Sequence, residues 1–449
     1  MKKHSSISVI WILIVVIISC QTEIKNPTFS KDIAPIIYRS CSPCHRTNQI
    51  GHFNLLSYED VKSNADKIVF TTQNRMMPPW PADVHYTSFV GENVLSQNEI
   101  KLIDTWVKLG CPIGDSLAIP RLPNFPTRSM LGKPDLQIAV KPIEIKSNGD
   151  DRFLLVKVPF ELQNDTFIQT VEFVPGNTKV VHHVNGDMVT FDDSKKENIF
   201  DGKMIADLVL DSTVRQVYKQ IGVLHDDGSY PLLTQSIVNY LPGVLAQPYP
   251  NGIGGWKVGK KNAFLLADIH YGPSVKNTWD SSYINVFFAK QAPRRTLQEF
   301  QLGTLGLSPI LPPLNIQPNT ISKHTSSYKT QFDMSILTIN PHMHLLGKSF
   351  KAYALKPDGD TIRLIHIPKW DFNWQNFYTY RKMLKIPAGS TIIMEGVFDN
   401  TSNNPFNPNQ PPQLVSDKNG SMRTKDEMFQ LIVTYLPYEN GDENISLEK

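Results

Sequence analysis

Cysteine is scarce in this chain, with four among 449 residues. Cys20 closes an N-terminal apolar run, Cys41 and Cys44 belong to "CSPCH", and Cys111 stands alone. No obvious disulfide pair remains, so core packing and metal sites must hold the fold. A surplus of one charge is also missing: 45 Lys and Arg stand against 42 Asp and Glu, a net charge of +3. With no long basic run, nothing points to nucleic acid. No internal repeat is obvious, and long helical patterns are lacking beyond residue 118. What is present, 41% hydrophobic and 19% charged residues, suits packed globular domains. The length suggests two to four of them.

The N-terminus, "MKKHSSISVIWILIVVIISCQTE", starts with a short basic segment, continues apolar from Ile7 and ends at Cys20. The run is short for a membrane span, and its charge layout suits a secretory signal over residues 1–20. "IISC" resembles a bacterial lipobox, which implies acylation of Cys20 and an exported, lipid-anchored protein on the periplasmic or cell-surface side. An uncleaved helical anchor is the alternative. Cys111 reads as a small buried apolar residue near a helix end.

C-x-x-C-H in an exported chain reads as covalent attachment of haem c: two thiols at this spacing reach the vinyl groups and the adjacent imidazole meets the iron. Cys41 and Cys44 would form the thioethers and His45 the proximal ligand. Zinc is the competing reading, but no second C-x-x-C or H-x-x-x-H follows to complete a tetrahedral site. "FSKDIAPIIYRS" predicts a helix capped at Ser30 with Ile33, Ile36 and Ile37 on one face. "SQNEIKLIDTWVKLG" predicts a capping box of Ser96 and Glu99, a stripe of Ile100, Ile103, Trp106 and Val107, and a stop at Gly110. Between them, "RMMPPW" resembles the M-P-P-W of a class of fused c-type cytochromes. That resemblance covers about residues 24–118 and implies Met77 as the sixth iron ligand, with Met76 its neighbouring candidate.

"LAIPRLPNFPTRSMLGKP" reads as a linker over 119–134. Short β-branched and aromatic runs follow, punctuated by Gly, Pro, Asn and Asp. They predict a mainly β protein: two tandem antiparallel β-sandwich or jelly-roll domains, 135–295 and 296–449, after the small all-α domain. The break is placed near Pro293 to Pro313. Histidines cluster here: His182 and His183 in "VVHHVNG", His270 in "ADIHYG", and His342 and His344 in "PHMHLLGK". Residues i and i+2 share a strand face, so His342 and His344 project together. Adjacent His182 and His183 would face opposite ways unless a bulge or strand end intervenes, and Asn185-Gly186 is compatible with a turn just after.

These residues resemble the copper type II, ascorbate-dependent monooxygenases, the family of peptidylglycine and dopamine hydroxylases, from about Asp135 to the C-terminus. The shared series is an H-H pair, "LLADIHYG", "HMHLLGK" and "DEM" ending at Met428. The resemblance implies two copper ions, one on His182, His183 and His270, the other on His342, His344 and Met428. Three imidazoles suit a copper that passes electrons, and a thioether beside two imidazoles favours Cu(I), the state that meets dioxygen. The implied activity is hydroxylation of a C–H bond of an organic substrate. Electrons would enter through the haem from a reduced cytochrome or a quinol-linked donor, a route that free ascorbate otherwise supplies. The alternative is an exported electron-transfer or copper-binding protein without catalysis. Peptidylglycine hydroxylases grip a substrate carboxylate with an arginine and a tyrosine where this chain has Asn340 and Ile432, so a glycine-extended peptide is not expected. Asp268 stands where those enzymes have glutamine. "KWDFNWQ" predicts a strand with Trp370, Phe372 and Trp374 on one face, for core packing ahead of substrate stacking. His4, His52, His85, His225, His324 and His366 are expected in surface or packing roles.

Overall fold

The computed structural model describes residues 26–448 apart from 126–128, 148–151, 208–213, 243, 245, 247, 251, 273 and 419–422, and not the side chain of Asp268. Cys20, His4 and the apolar N-terminal run lie outside the described residues. Among the described residues no helix is long and apolar enough to cross a membrane.

The N-terminal segment is helical, but its first helix begins differently from the sequence expectation. A π-turn, Phe29–Ile33, runs into the α-helix Ala34–Ser40, and the residue before it is Thr28, not Ser30. Asp32 accepts the Thr28 N–H at 2.8 Å, and Ser30 is buried. Pro35 lacks an N–H and fits only a first helical turn, which fixes the α-helical start at Ala34. Ile33, Ile36 and Ile37 are buried together with Phe29 and Trp106. Helix Gln97–Lys108 opens on a reciprocal cap: the Glu99 N–H donates to Ser96 Oγ at 3.2 Å and the Ser96 N–H to Glu99 Oε2 at 2.7 Å. Gly110 follows with φ +80°, the left-handed turn that ends a helix. Cys111 is buried against this core.

From Leu136 onward the chain is mainly β, in several antiparallel sheets. A five-stranded sheet has the order Ile205–Asp207, Arg152–Glu161, Lys261–Tyr271, Val181–Thr190, Leu232–Tyr240. A four-stranded sheet of Leu136–Ala139, Tyr283–Phe288, Thr166–Val174 and Trp256–Val258 shares one core with it. A second pair follows. Gln298–Gly303, Phe429–Pro437, Met334–Met343 and Tyr378–Ile386 form one sheet, and Thr320–Lys329, Thr391–Asn400, Gly347–Leu355 and Thr361–Ile367 the other. Their inner faces bury Phe350, Phe398 and Phe429. Strand Thr391–Asn400 alternates buried and half-buried residues throughout, the period of two that one covered face imposes.

Two local expectations are corrected. Asn185-Gly186 is no turn: it lies inside strand Val181–Thr190, where the register slips between Asn185 and Asp187. "KWDFNWQ" is no strand, because Pro368 follows the strand Thr361–Ile367 and Asp371 Oδ1 then captures the Asn373 N–H at 2.9 Å in a turn. A helix, Val214–Gln220, interrupts the β region.

The helical segment is built into both β units. Ala82 and Phe89 complete the second core, Phe89 lies 4.9 and 5.2 Å from the rings of Tyr378 and Tyr380, and the Asp83 N–H donates to His366 O at 2.8 Å. On its other side, Thr178 of the first unit donates to Asn48 O, close to the C-x-x-C-H loop.

Candidate metal centres

The first imidazole set is made by one irregularity. In the ladder between Val181–Thr190 and Lys261–Tyr271, Val181 pairs with Tyr271 and His183 with His270, so His182 is the extra residue of a bulge. Bulging turns the adjacent side chains toward one side, which regular pleating forbids. The His270 ring centroid is 4.8 Å from that of His182 and 4.9 Å from that of His183. Phe153, opposite His270 in the ladder, stacks on its ring at 4.3 Å. Gly272 has no Cβ because one would strike the His182 ring.

In the second set, His342 and His344 have ring centroids 5.0 Å apart at 89°. His342 Nδ1 lies 2.5 Å from Gln375 Oε1, and His344 Nδ1 lies 3.0 Å from Asp426 O. Both partners only accept, and Gln375 Nε2 is itself committed to Phe372 O at 3.0 Å. Each Nδ1 therefore carries the proton, and each Nε2 carries the lone pair that a metal takes. Met343 pairs with Phe429, so the next position brings Met428 beside His344. Met428 is 2% exposed.

Glu427 fastens these pieces together. Its Oε2 accepts the N–H of His344 at 2.9 Å and of Met428 at 3.1 Å, and its Oε1 accepts the N–H of Leu346 at 2.7 Å. Burial pushes its carboxyl up to about 8, against the downward pull of those three donors.

Phe372 joins the two sets. Its ring is 5.7 Å from His183, 5.7 Å from His344 and 6.4 Å from His270. The turn Pro368–Gln375 that replaces the expected strand inserts it between the sheets. Sequence reasoning assigned Phe372 to core packing and passed over Gln375, Glu427 and Gly272. The "DEM" run carried a signal for Glu427 and the "HYG" of "LLADIHYG" one for Gly272; nothing local marked Gln375.

The donor sets suit copper: three imidazoles, and two imidazoles with a thioether. Among the described residues no three His, Cys, Asp or Glu side chains converge on one point as they stand. Closing the first set on an ion requires its neighbouring rings to turn.

In the helical segment, His45 Nδ1 contacts Phe53 O at 3.2 Å, so the proton sits there and Nε2 can ligate. Burial lowers the His45 pKa, favouring the neutral ring. A Cβ at Gly51 would stand 2.8 Å from His45 Nδ1, so glycine closes this loop. Cys41 and Cys44 form no disulfide, and burial pushes their thiols up to about 12 and about 11. Cys41, Cys44, His45 and Met77 line one cavity of about 1930 Å³ that also reaches His182. Met76 is 53% exposed and is not among its walls. Buried Trp80 Nε1 and Trp256 Nε1 line it without hydrogen-bond partners, and Arg39, Lys67, Arg121 and Lys179 add positive charge. Thiols, an imidazole, a thioether and donors for carboxylates are the groups that a covalently held haem takes.

The remaining histidines fill structural roles or face solvent. His225 bonds Ser229 and the Asp192 N–H, His324 bonds Ser322 and Pro312 O, His366 meets Asp83, and His52 and His85 are exposed.

His342 and His344 thus stand at the end of one strand, with Met428 at the start of its neighbour, a donor set of the kind copper takes. Residues 302–409 match the family model described as copper type II ascorbate-dependent monooxygenase, C-terminal domain, a copper-dependent family that uses dioxygen, an organic substrate and ascorbate. The span holds His342, His344, Phe372 and Gln375. No curated protein matches the chain. Among solved structures, one described as the structure of infectious bursal disease virus Gt strain aligns at 10% identity over 69% of this chain and 83% of that one. Its TM-score is 0.15, too low to carry any argument.

Proposed function

We propose that the chain is a copper-dependent monooxygenase that hydroxylates a C–H bond, an oxidoreductase acting on paired donors with incorporation of one oxygen atom. The observation that carries this reading is the meeting of two imidazole sets at one phenyl ring, with one set inside the span matching the family. His342, His344 and Met428 would hold the copper that meets dioxygen, His182, His183 and His270 would hold a second copper, and Cys41, Cys44, His45 and Met77 would hold haem c, these last two groups supplying electron transfer when bound.

The chain's own groups prepare both places. Gln375 and the Asp426 carbonyl hold the tautomers of His342 and His344, Glu427 ties their loop to the Met428 strand, and the Phe372 ring stands against imidazoles of both sets. The thioether of Met428 favours the cuprous state over the cupric. Shared walls of the cavity support an electron path from the helical segment toward His182. Dioxygen, an organic substrate and an external donor, whether a reduced cytochrome, a quinol-linked carrier or ascorbate, complete the reaction. The chain works exported, tethered to a bacterial membrane by lipid on Cys20.

The test is Met428→Leu in protein loaded with copper, measuring oxygen uptake and hydroxylated product together. The variant should lose coupled turnover while its folding and haem spectrum stay unchanged. Normal hydroxylation by the variant refutes the assignment of Met428. Metal uptake by the wild type without coupled oxygen consumption favours the non-catalytic carrier.

A further inference from the structure

The sheet face that presents His342 continues into polar groups with no part in holding metal. Thr338 stands opposite Thr434, which stands opposite Glu299, and Asn340 stands opposite Ile432. Opposed and alternate positions point the same way, so these side chains share a face, and all five line the cavity.

Two of them ask for a partner. Asn340 is 7% exposed, and its Oδ1 has no hydrogen-bond partner. Glu299 is half-buried because it faces the cavity, whose walls shield it from bulk water. Thr434 Oγ1 donates to Glu299 Oε1 at 3.1 Å, and a backbone N–H of Gln235 reaches it from the first β unit. Asp187 faces it from that unit, held by the Ser236 N–H at 2.9 Å. Tyr249 faces it too, with its hydroxyl 2.9 Å from Thr338 Oγ1. None of the groups acting on Glu299 is cationic. Burial, with a smaller contribution from Asp187, pushes its carboxyl up to about 8. A second acid and no counter-charge make this a place that rejects carboxylates. At the Asn340 end the open atom is again an acceptor.

We propose that this face is a recognition subsite for an organic cation, whose protonated amine rests against Glu299 while a second hydrogen-bond donor reaches Asn340 Oδ1. As a substrate site this rests on the monooxygenase reading; as a binding site it stands on the cavity alone. Two strand spacings and two residue rises put the Asn340 and Glu299 Cα atoms roughly 12 Å apart, so the ligand carries its two donors at opposite ends of a short chain. An ammonium ionises Glu299 and supplies the missing counter-charge, releasing a proton.

The test is calorimetric titration of the full chain under argon with three probes of one shape: 6-amino-1-hexanol, 1,6-hexanediol and 6-hydroxyhexanoate. The amine should bind about tenfold tighter than the diol or better, and the acid weaker than the diol. Glu299→Gln should erase the advantage of the amine without changing the diol, and Glu299→Asp should keep it. Equal binding of the three probes, preference for the acid, or an amine preference that survives Glu299→Gln overturns the proposal. Copper content and hydroxylation are measured on the same preparation. An amine-selective chain without copper removes the monooxygenase reading and leaves the subsite, whereas a hydroxylating chain without amine preference removes the subsite alone.

Discussion

Replacing Gln375 by leucine removes the acceptor 2.5 Å from His342 Nδ1 at nearly constant volume. The imidazole then loses the contact that fixes its proton on Nδ1, and that proton can move to the ligating nitrogen. Removing such an outer contact typically weakens a metal site about 10–100-fold, equivalent to about 1.4–2.7 kcal/mol. The Phe372 carbonyl also loses its donor, at a further stability cost of about 1–3 kcal/mol. Competition of Cu(I) against a chromophoric chelator reads the two sets separately. Only the set of His342, His344 and Met428 should weaken by one to two decades, with the three-imidazole set shifting far less. Gln375→Glu, which keeps an acceptor in place, should recover most of the loss. Equal weakening of both sets, or of neither, refutes the reasoning.

Glu299 gives a pH signature. Its carboxyl rises from 4.5 to about 8 on folding, so the folded state holds the proton more tightly. Its stabilisation is fully present below about pH 4.5 and is lost as pH rises through about 8, by on the order of 3–5 kcal/mol at the upper limit. Denaturant titrations at pH 5 and 8.5 should show this decline in the wild type and a flatter profile in Glu299→Gln. Phe89→Ala should cost about 3–5 kcal/mol in unfolding of the second β unit, because Phe89 is fully buried there; an unchanged melting profile would show that the helical segment does not close that core. Replacing Cys41 and Cys44 together by serine should abolish the haem absorbance and turnover with a reduced cytochrome or quinol-linked donor, while sparing some with ascorbate. Equal loss with both donors would exclude the haem as the entry point.

Much was legible from local pattern alone. The reciprocal cap of Ser96 and Glu99, the buried stripe of Ile33, Ile36 and Ile37, and the common face of His342 and His344 follow from the periods of 3.6 and 2, which each chain segment carries within itself. The C-x-x-C-H spacing and the order of the histidine motifs are likewise local, as was the need for a bulge at the His182-His183 pair. Other features depend on which strands become neighbours. Long-range burial set the slip that makes His182 the bulged residue, the seat of Phe89 in a distant core, and the turn that drives Phe372 between two sheets and Gln375 onto His342. A polar side chain such as Gln375 carries no sign of its partner until packing supplies one, and an acid such as Glu299 becomes unusual only when the facing unit brings Asp187 and excludes water. Composition and spacing thus fixed which donor atoms the protein owns; the folded chain decided which of them meet, because meeting is a matter of register and enclosure across hundreds of residues.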